Sequence, residues 1–310
     1  MLEHPENETW ADWHPGEVPQ EMPFAGGLGS PAENISARED RHGTPETLRN
    51  GVEKIVTFLC KDFSVEGKDN VEEIRRIQEE DANNKFIVTS SHISNLDAPA
   101  AIKALGNDLD FQLAVSSTHF GLTPQELMYR MAGKENFTGL DYRKNKRGSA
   151  DGAFNPDNFD ELAEKMEAGK TPWIAIHPFT ASGKMQKARI GPVYLAQKTG
   201  SYLVPSALEI KNGGSVSFEG LSELTKAAVK KAEAVFHVGQ PIKLEPIDIR
   251  IIEEVLQKRQ RGEKPTTEEL KRFSETTTLL KKQADDVAEI ISRMLPERMR
   301  GAYGEEAALN

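Results

Sequence analysis

Residues 85–97 run KFIVTSSHISNLD, and the reading of this stretch decides the fold. Lys85–Ser90 is a short apolar, β-branched run after the Asn83-Asn84 break, the pattern of a buried strand. The residues after it are small and polar, and Asp97-Ala98-Pro99 leads into an apolar run near Ala98–Leu105 that reads as a helix. A histidine just past a buried strand, on the approach to a helix, stands where α/β sheets place their chemistry. His92 and Asp97 are five residues apart. On a continuous helix that offset spans about 500°, leaving the side chains roughly 140° apart. Contact between them therefore demands a loop or bend, from which Asp97 can cap the helix and accept a bond from the His92 ring. A carboxylate on one ring nitrogen fixes the tautomer and makes the other nitrogen a better base.

Working outward, Phe111–Ser117, Trp173–Ile176, Ser201–Ile210 and Ala234–Val238 read as further strands. Helices alternate with them. Thr44-Pro45 has the grammar of an N-cap and first helical proline ahead of Leu48, Val52, Ile55, Val56 and Leu59. A more polar helix covers Val71–Gln78. Thr123-Pro124 and Asn155-Pro156 repeat the cap grammar, the latter opening a helix through Phe159, Leu162 and Met166 that stops at Gly169. Ile190–Thr199 is a helix closed by Gly200. This alternation, from about residue 45 to 245, predicts an α/β fold: a mixed sheet flanked by helices, with N-terminal helices and a C-terminal helical extension. Thr266 and Glu269 form a capping box for the last stripe, Leu270, Phe273, Leu280, Val287, Ile290, Ile291 and Met294. The expected organisation is an acidic, poorly ordered arm over 1–43, a helical segment over 44–84, the core over 85–245 and the extension over 246–310.

Composition narrows the function classes. The 310 residues carry 49 acids against 39 lysines and arginines, a formal charge of −10. Residues 1–40 hold nine acids and one base, so the rest of the chain is almost neutral and an anionic substrate is not excluded. No apolar run approaches the roughly 18 residues of a membrane span. One cysteine, Cys60, rules out an internal disulfide framework and a cysteine-rich zinc site. On the apolar stripe of the first helix it reads as packing rather than a nucleophile. His92, His119 and His177 lack paired metal-ligand spacing, so no metal is expected. No G-x-G-x-x-G or G-x-x-x-x-G-K loop points to NAD or ATP. No nucleic-acid partner is expected, and the protein is expected to be cytoplasmic.

The H-x-x-x-x-D pattern of His92 and Asp97 resembles the signature of the PlsC-like glycerolipid acyltransferases. Further segments resemble that superfamily's blocks in order. Phe137–Arg143 resembles the second. His177-Pro178-Phe179-Thr180-Ala181-Ser182-Gly183-Lys184 aligns with the third, usually F-P-E-G-T-R-S, without its Glu and with Ser182 at its Arg. Val204–Leu208 resembles the fourth. Lys187–Gly191 and Val238–Ile242 have similar spacing, and Leu295–Gly301 resembles the tail of some soluble members. The soluble plastid-type glycerol-3-phosphate acyltransferases also lack the Glu and membrane spans, and the chain resembles these most.

The resemblance implies transfer of an acyl group from acyl-carrier protein or CoA, with no cofactor, to glycerol 3-phosphate in phospholipid biosynthesis. Lysophosphatidate is the alternative acceptor, and a non-catalytic lipid- or carrier-binding homologue the alternative class. His92 would be the base and Asp97 its orienting partner, with direct attack by the substrate hydroxyl. Arg143, Lys144, Ser182, Lys184 and Arg189 would bind the substrate phosphate, arginine by a bidentate fork and lysine as a point charge. His177, at the place of the family's usual Phe, either lines the site or is a satisfied strand-end histidine, the second being the expected reading. The acyl chain needs an apolar groove, for which the first-helix or C-terminal stripe are candidates, though such stripes are more often core. Lys258, Arg259, Arg261, Lys281 and Lys282 could meet a membrane surface or an acidic carrier, making the protein transiently peripheral to the inner face of the membrane.

Overall fold

In a computed structural model, residues 43–116, 134–140, 158–180, 182–211, 216 and 221–304 are described. Their strands form one eight-stranded sheet in the order β1 (Cys60–Glu66), β7 (Ala232–Val238), β6 (Tyr202–Ile210), β2 (Phe86–Ser90), β5 (Thr171–Ala175), β3 (Phe111–Ser116), β4 (Phe137–Leu140). The two-residue β8 (Ile242–Lys243) also pairs with β6. The sheet is mixed: β7 and β8 run antiparallel to β6, and the other neighbours are parallel.

Strand alternation splits the side chains between two helical layers. Phe86, Val88, Phe111, Trp173, Val204 and Phe236 face one core. It is closed by α1 (Glu46–Leu59), α2 (Lys68–Glu80) and α3 (Asp97–Leu105). Ile87, Ile174, Leu203 and Ala207 face the other. That side is closed by α4 (Asn158–Glu167), α5 (Gly191–Thr199), α7 (Arg250–Gln260) and α8 (Thr267–Arg293). A further helix, α6 (Leu221–Lys230), packs its Ala227 and Ala228 on the first core. Among the described residues no helix is long and apolar enough to cross a membrane.

The topology marks a position. From β2 the chain leaves through α3, on the first face, and reaches β3 on one side. From the neighbouring β5 it leaves through α5, on the opposite face, and reaches β6 on the other side of β2. Connections that diverge from adjacent parallel strands open a crevice at their carboxyl ends. His92 follows β2 there, and His177 follows β5.

Several local expectations are corrected. The segment 44–84 is not wholly helical. At Cys60 the backbone turns extended, and residues 60–66 form an edge strand paired with β7. Its signal was the short alternation of Phe63 and Val65, with no turn residue separating it from α1, so Cys60 begins a strand instead of continuing a helix stripe. Thr44 does not cap α1. Its buried hydroxyl donates to the Leu109 carbonyl at 2.7 Å and accepts from the Phe111 N–H at 3.1 Å, tying the start of α1 to β3. Gly200 closes α5 in the left-handed conformation (φ 62°), and the Thr266–Glu269 capping box opens α8 as expected. The Thr123-Pro124 and Asn155-Pro156 caps lie outside the described residues.

Most of both stripes considered for an acyl groove is core, Leu48, Val52, Val56 and Leu59 on one side and Leu280, Val287 and Ile291 on the other, while Leu270 at the start of the second is exposed. The cations of the last helices largely have partners on the protein. Lys258 pairs with Glu269, Arg261 with Glu263 and Lys282 with Asp286, while Arg259 lies over the Phe273 ring.

Replacing Thr44 by valine removes one buried donor and one acceptor at nearly constant shape. It is expected to lower stability by about 2 kcal/mol, with serine, which keeps the hydroxyl, recovering most of that loss. Urea unfolding midpoints of the two variants check this, and equal midpoints would remove Thr44 as a tie.

Candidate functional site

The loop after β2 is built around one carboxylate. Asp97 is fully buried in the first turn of α3, where the helix dipole favours negative charge. Its Oδ2 accepts the Ser94 N–H at 2.8 Å and lies 3.2 Å from His92 Nδ1. Asp97 does not cap α3, which has no side-chain cap. Its carboxylate turns back to organise residues 92–94, the bend that the five-residue offset required. Burial pushes the Asp97 pKa up, opposed by its bonds from His92 and from the Ser94 and Ile93 backbone. Ile93 and Leu96 anchor the same turn in the two cores. From outside it is held by the Val216 carbonyl, which accepts the Asn95 N–H at 2.9 Å and the Ser94 hydroxyl at 3.2 Å.

His92 is held by ring and main chain. Its ring meets Trp173 edge-on at 5.6 Å and Phe179 at 5.2 Å, contacts that restrict its rotation. Its N–H donates to His177 Nε2 at 3.3 Å, and its carbonyl accepts the Thr180 N–H at 3.0 Å. The segment after β5 therefore brackets the segment after β2. With Nδ1 against the carboxylate, the tautomer that donates there leaves Nε2 with a lone pair. The His92 side chain is 27 % exposed and Asp97 0 %, so the histidine is the solvent-facing member of the pair.

His177 is a satisfied strand-end histidine with a defined task. Nδ1 lies 2.8 Å from the Pro178 carbonyl, which makes it the protonated nitrogen, and Nε2 accepts from the His92 backbone. Burial lowers its pKa to about 4, against the raising effect of the Pro178 bond, and the His92 and Arg189 charges lower it further.

The loop 177–190 starts and ends together, because the Arg189 N–H donates to the Ile176 carbonyl at 2.7 Å. It carries three of the sequence-predicted binding residues. Arg189 stands at its neck. The Ser182 hydroxyl shares a 2.7 Å hydrogen bond with the Thr180 hydroxyl and accepts the Lys184 N–H at 3.3 Å, so it shapes the turn. Lys184 is exposed on the same turn. The structure thus brings His92, Asp97, Ser182, Lys184 and Arg189 to one end of the sheet. Arg143 and Lys144 lie outside the described residues, as does His119. Cys60 is apart from this site in β1, and burial pushes its thiol pKa up, which disfavours a nucleophilic thiolate. Sequence reading missed Trp173 and Phe179, whose only signal was aromatic character beside the third block, and Thr180, which acts through its backbone.

No family model matches the chain, and no curated protein matches it. Among solved structures it is similar to the 1-acyl-sn-glycerophosphate (LPA) acyltransferase PlsC from Thermotoga maritima. The identity is 15 % and the TM-score 0.43, over 77 % of this chain and 78 % of that one. At that level the likeness assigns no activity.

A pH prediction comes from His177. Its pKa is depressed in the folded state, so between about 6.5 and about 4 the unfolded chain binds more protons. Stability contributed by neutral His177 is present above that window and declines as pH falls through it, by up to about 3 kcal/mol. Urea midpoints measured from pH 7 to pH 4 are expected to fall, and less steeply in His177→Gln. An equal slope in the variant would remove His177 as a source of the decline.

Proposed function

We propose that the protein is an O-acyltransferase that moves a fatty acyl group from a thioester, carried by acyl-carrier protein or CoA, to a hydroxyl of glycerol 3-phosphate. The observation that carries this reading is the His92–Asp97 contact at the carboxyl end of β2, with Nδ1 turned to a buried carboxylate and Nε2 left to act. Acyl transfer to an alcohol needs a base for the hydroxyl proton and an acceptor held in line.

In this reading Nε2 takes the proton as the hydroxyl oxygen attacks the thioester carbonyl. The tetrahedral intermediate collapses by breaking the C–S bond, and the imidazolium returns its proton to the departing thiolate. Oxygen replaces sulfur on the acyl carbon, and no covalent acyl-enzyme forms. Asp97 holds the ring and stabilises its transient positive charge. Its buried position, opposite the exposed edge of the ring, suits a positioning role. The His92 main chain, donating to His177 Nε2 and accepting from the Thr180 N–H, is held in place beneath the ring. Arg189, with Lys184 on the same loop, supplies positive charge for an acceptor phosphate, and Arg143 and Lys144 are proposed for the same task. Ser182 shapes the turn from Thr180 to Lys184 that presents this lysine.

The test is an assay of thiol release and lipid product with acyl-CoA or acyl-carrier protein, given glycerol 3-phosphate or lysophosphatidate. Thiol release that needs glycerol 3-phosphate and yields acylated product is the expected result. Release independent of acceptor would identify a hydrolase, and no turnover across donors and chain lengths would identify a binding protein. His92→Ala is expected to cut kcat by about a hundred- to ten-thousand-fold while the melting transition is kept. Arg189→Ala is expected to raise the acceptor KM by about tenfold or more. Full activity in His92→Ala would sink the base assignment, and an unchanged KM would take Arg189 out of the phosphate site.

A further inference from the structure

We propose that Tyr303 is a positioning residue, through which the C-terminal tail fixes the loop bearing Ser182, Lys184 and Arg189 beside His92 for an acceptor that carries phosphate. This rests on the reading of that loop as the phosphate site.

The described residues of the loop, 177–180 and 182–190, include no helix or strand, so its shape depends on what grips it. Its neck is closed by the Arg189–Ile176 bond, and its midpoint is gripped from outside. The Met185 N–H donates to the Met299 carbonyl at 2.9 Å, and the Met185 carbonyl accepts the Ala302 N–H at 3.0 Å. Met185 thus exchanges backbone bonds with the tail in both directions, while its side chain is buried in the second core. The tail can approach this closely because residue 301 is glycine. It has φ 53°, and a methyl group there would run into the Met185 carbonyl.

The third grip is a side chain. The Ala188 N–H donates to the Tyr303 hydroxyl at 2.7 Å, and that hydroxyl donates to Asp285 Oδ1 at 2.8 Å. Asp285 lies on α8, whose neighbouring Ala284, Val287 and Ala288 are buried against the sheet. Tyr303 therefore relays the position of a rigid helix to the residue before Arg189. Burial and the bond to Asp285 raise the phenol pKa, so the hydroxyl stays a donor. Without the hydroxyl, the neck keeps its Ile176 bond but loses the anchor that sets the peptide entering Arg189. Acceptor affinity is then expected to suffer more than turnover, because the His92–Asp97 pair is held independently by β2, α3 and His177.

The test uses the full chain and three variants: Tyr303→Phe, Asp285→Ala and Asp285→Asn. Affinities for inorganic phosphate and for glycerol 3-phosphate are measured by calorimetry, acyl-transfer kinetics are run with glycerol 3-phosphate as acceptor, and each variant's melting temperature is recorded. Tyr303→Phe and Asp285→Ala are expected to weaken both ligands by about three- to tenfold, with the acceptor KM rising by the same factor and kcat staying within about twofold. Asp285→Asn keeps an oxygen for the hydroxyl and is expected to bind close to the unmodified chain. Unchanged affinity in Tyr303→Phe or Asp285→Ala, even with a lowered melting temperature, would overturn the proposal by reducing the tail to a structural brace. So would an unmodified chain that binds neither ligand, or an asparagine variant as weak as the alanine one. Acyl transfer with unchanged affinities would sink the positioning role alone. Weakened phosphate binding in a chain that transfers no acyl group would keep the positioning role and sink the reaction.

Discussion

A carboxylate with no exposed surface at the start of α3 is the constraint from which the site is built. Taking a charge out of water is costly unless hydrogen bonds and nearby charge replace its hydration. Asp97 obtains these from the Ser94 N–H, the His92 ring and the positive end of a helix. Both hydrogen-bonding partners of Oδ2 come from the bend over residues 92–94, so holding Asp97 sets the path of the chain after β2. The same bend leaves His92 with one nitrogen inward and one edge outward.

The loop after β5 depends on that bend in turn. His177 accepts the His92 N–H and Thr180 donates to the His92 carbonyl, so two neighbouring parallel strands exchange hydrogen bonds beyond the end of their ladder. His177 serves as a neutral histidine with both ring nitrogens committed, a role its burial enforces. The outer part of the loop is gripped by residues 299–303, so it is held from the sheet on one side and from α8 on the other.

Much of the fold was legible in the chain. Strands with a largely apolar run, such as those at 85–90 and 201–210, announce themselves because burial on both faces favours apolar side chains. Strand β1 was not legible, because an edge strand is buried on fewer sides and its pattern, exposed at Lys61, Asp62 and Ser64, is short. Thr44 carries the local grammar of a cap, yet its hydroxyl bonds residues more than sixty positions away. Local propensity could not weigh that distant competition.

The site divides in the same way. Sequence alone determined that any contact between His92 and Asp97 has to cross a bend, because helical geometry forbids it at that spacing; the structure shows that the contact is made. It also placed cations near 184–189 and confined the strongest negative charge to residues 1–40. Tertiary structure decided the rest. It brought His177, Thr180 and Phe179 around His92, assigned Ser182 to the turn, and joined Tyr303 to Ala188 across 115 positions. Those contacts come from strand order and helix packing. They arise where adjacent parallel strands send their chains apart, and no local pattern of residues encodes that point.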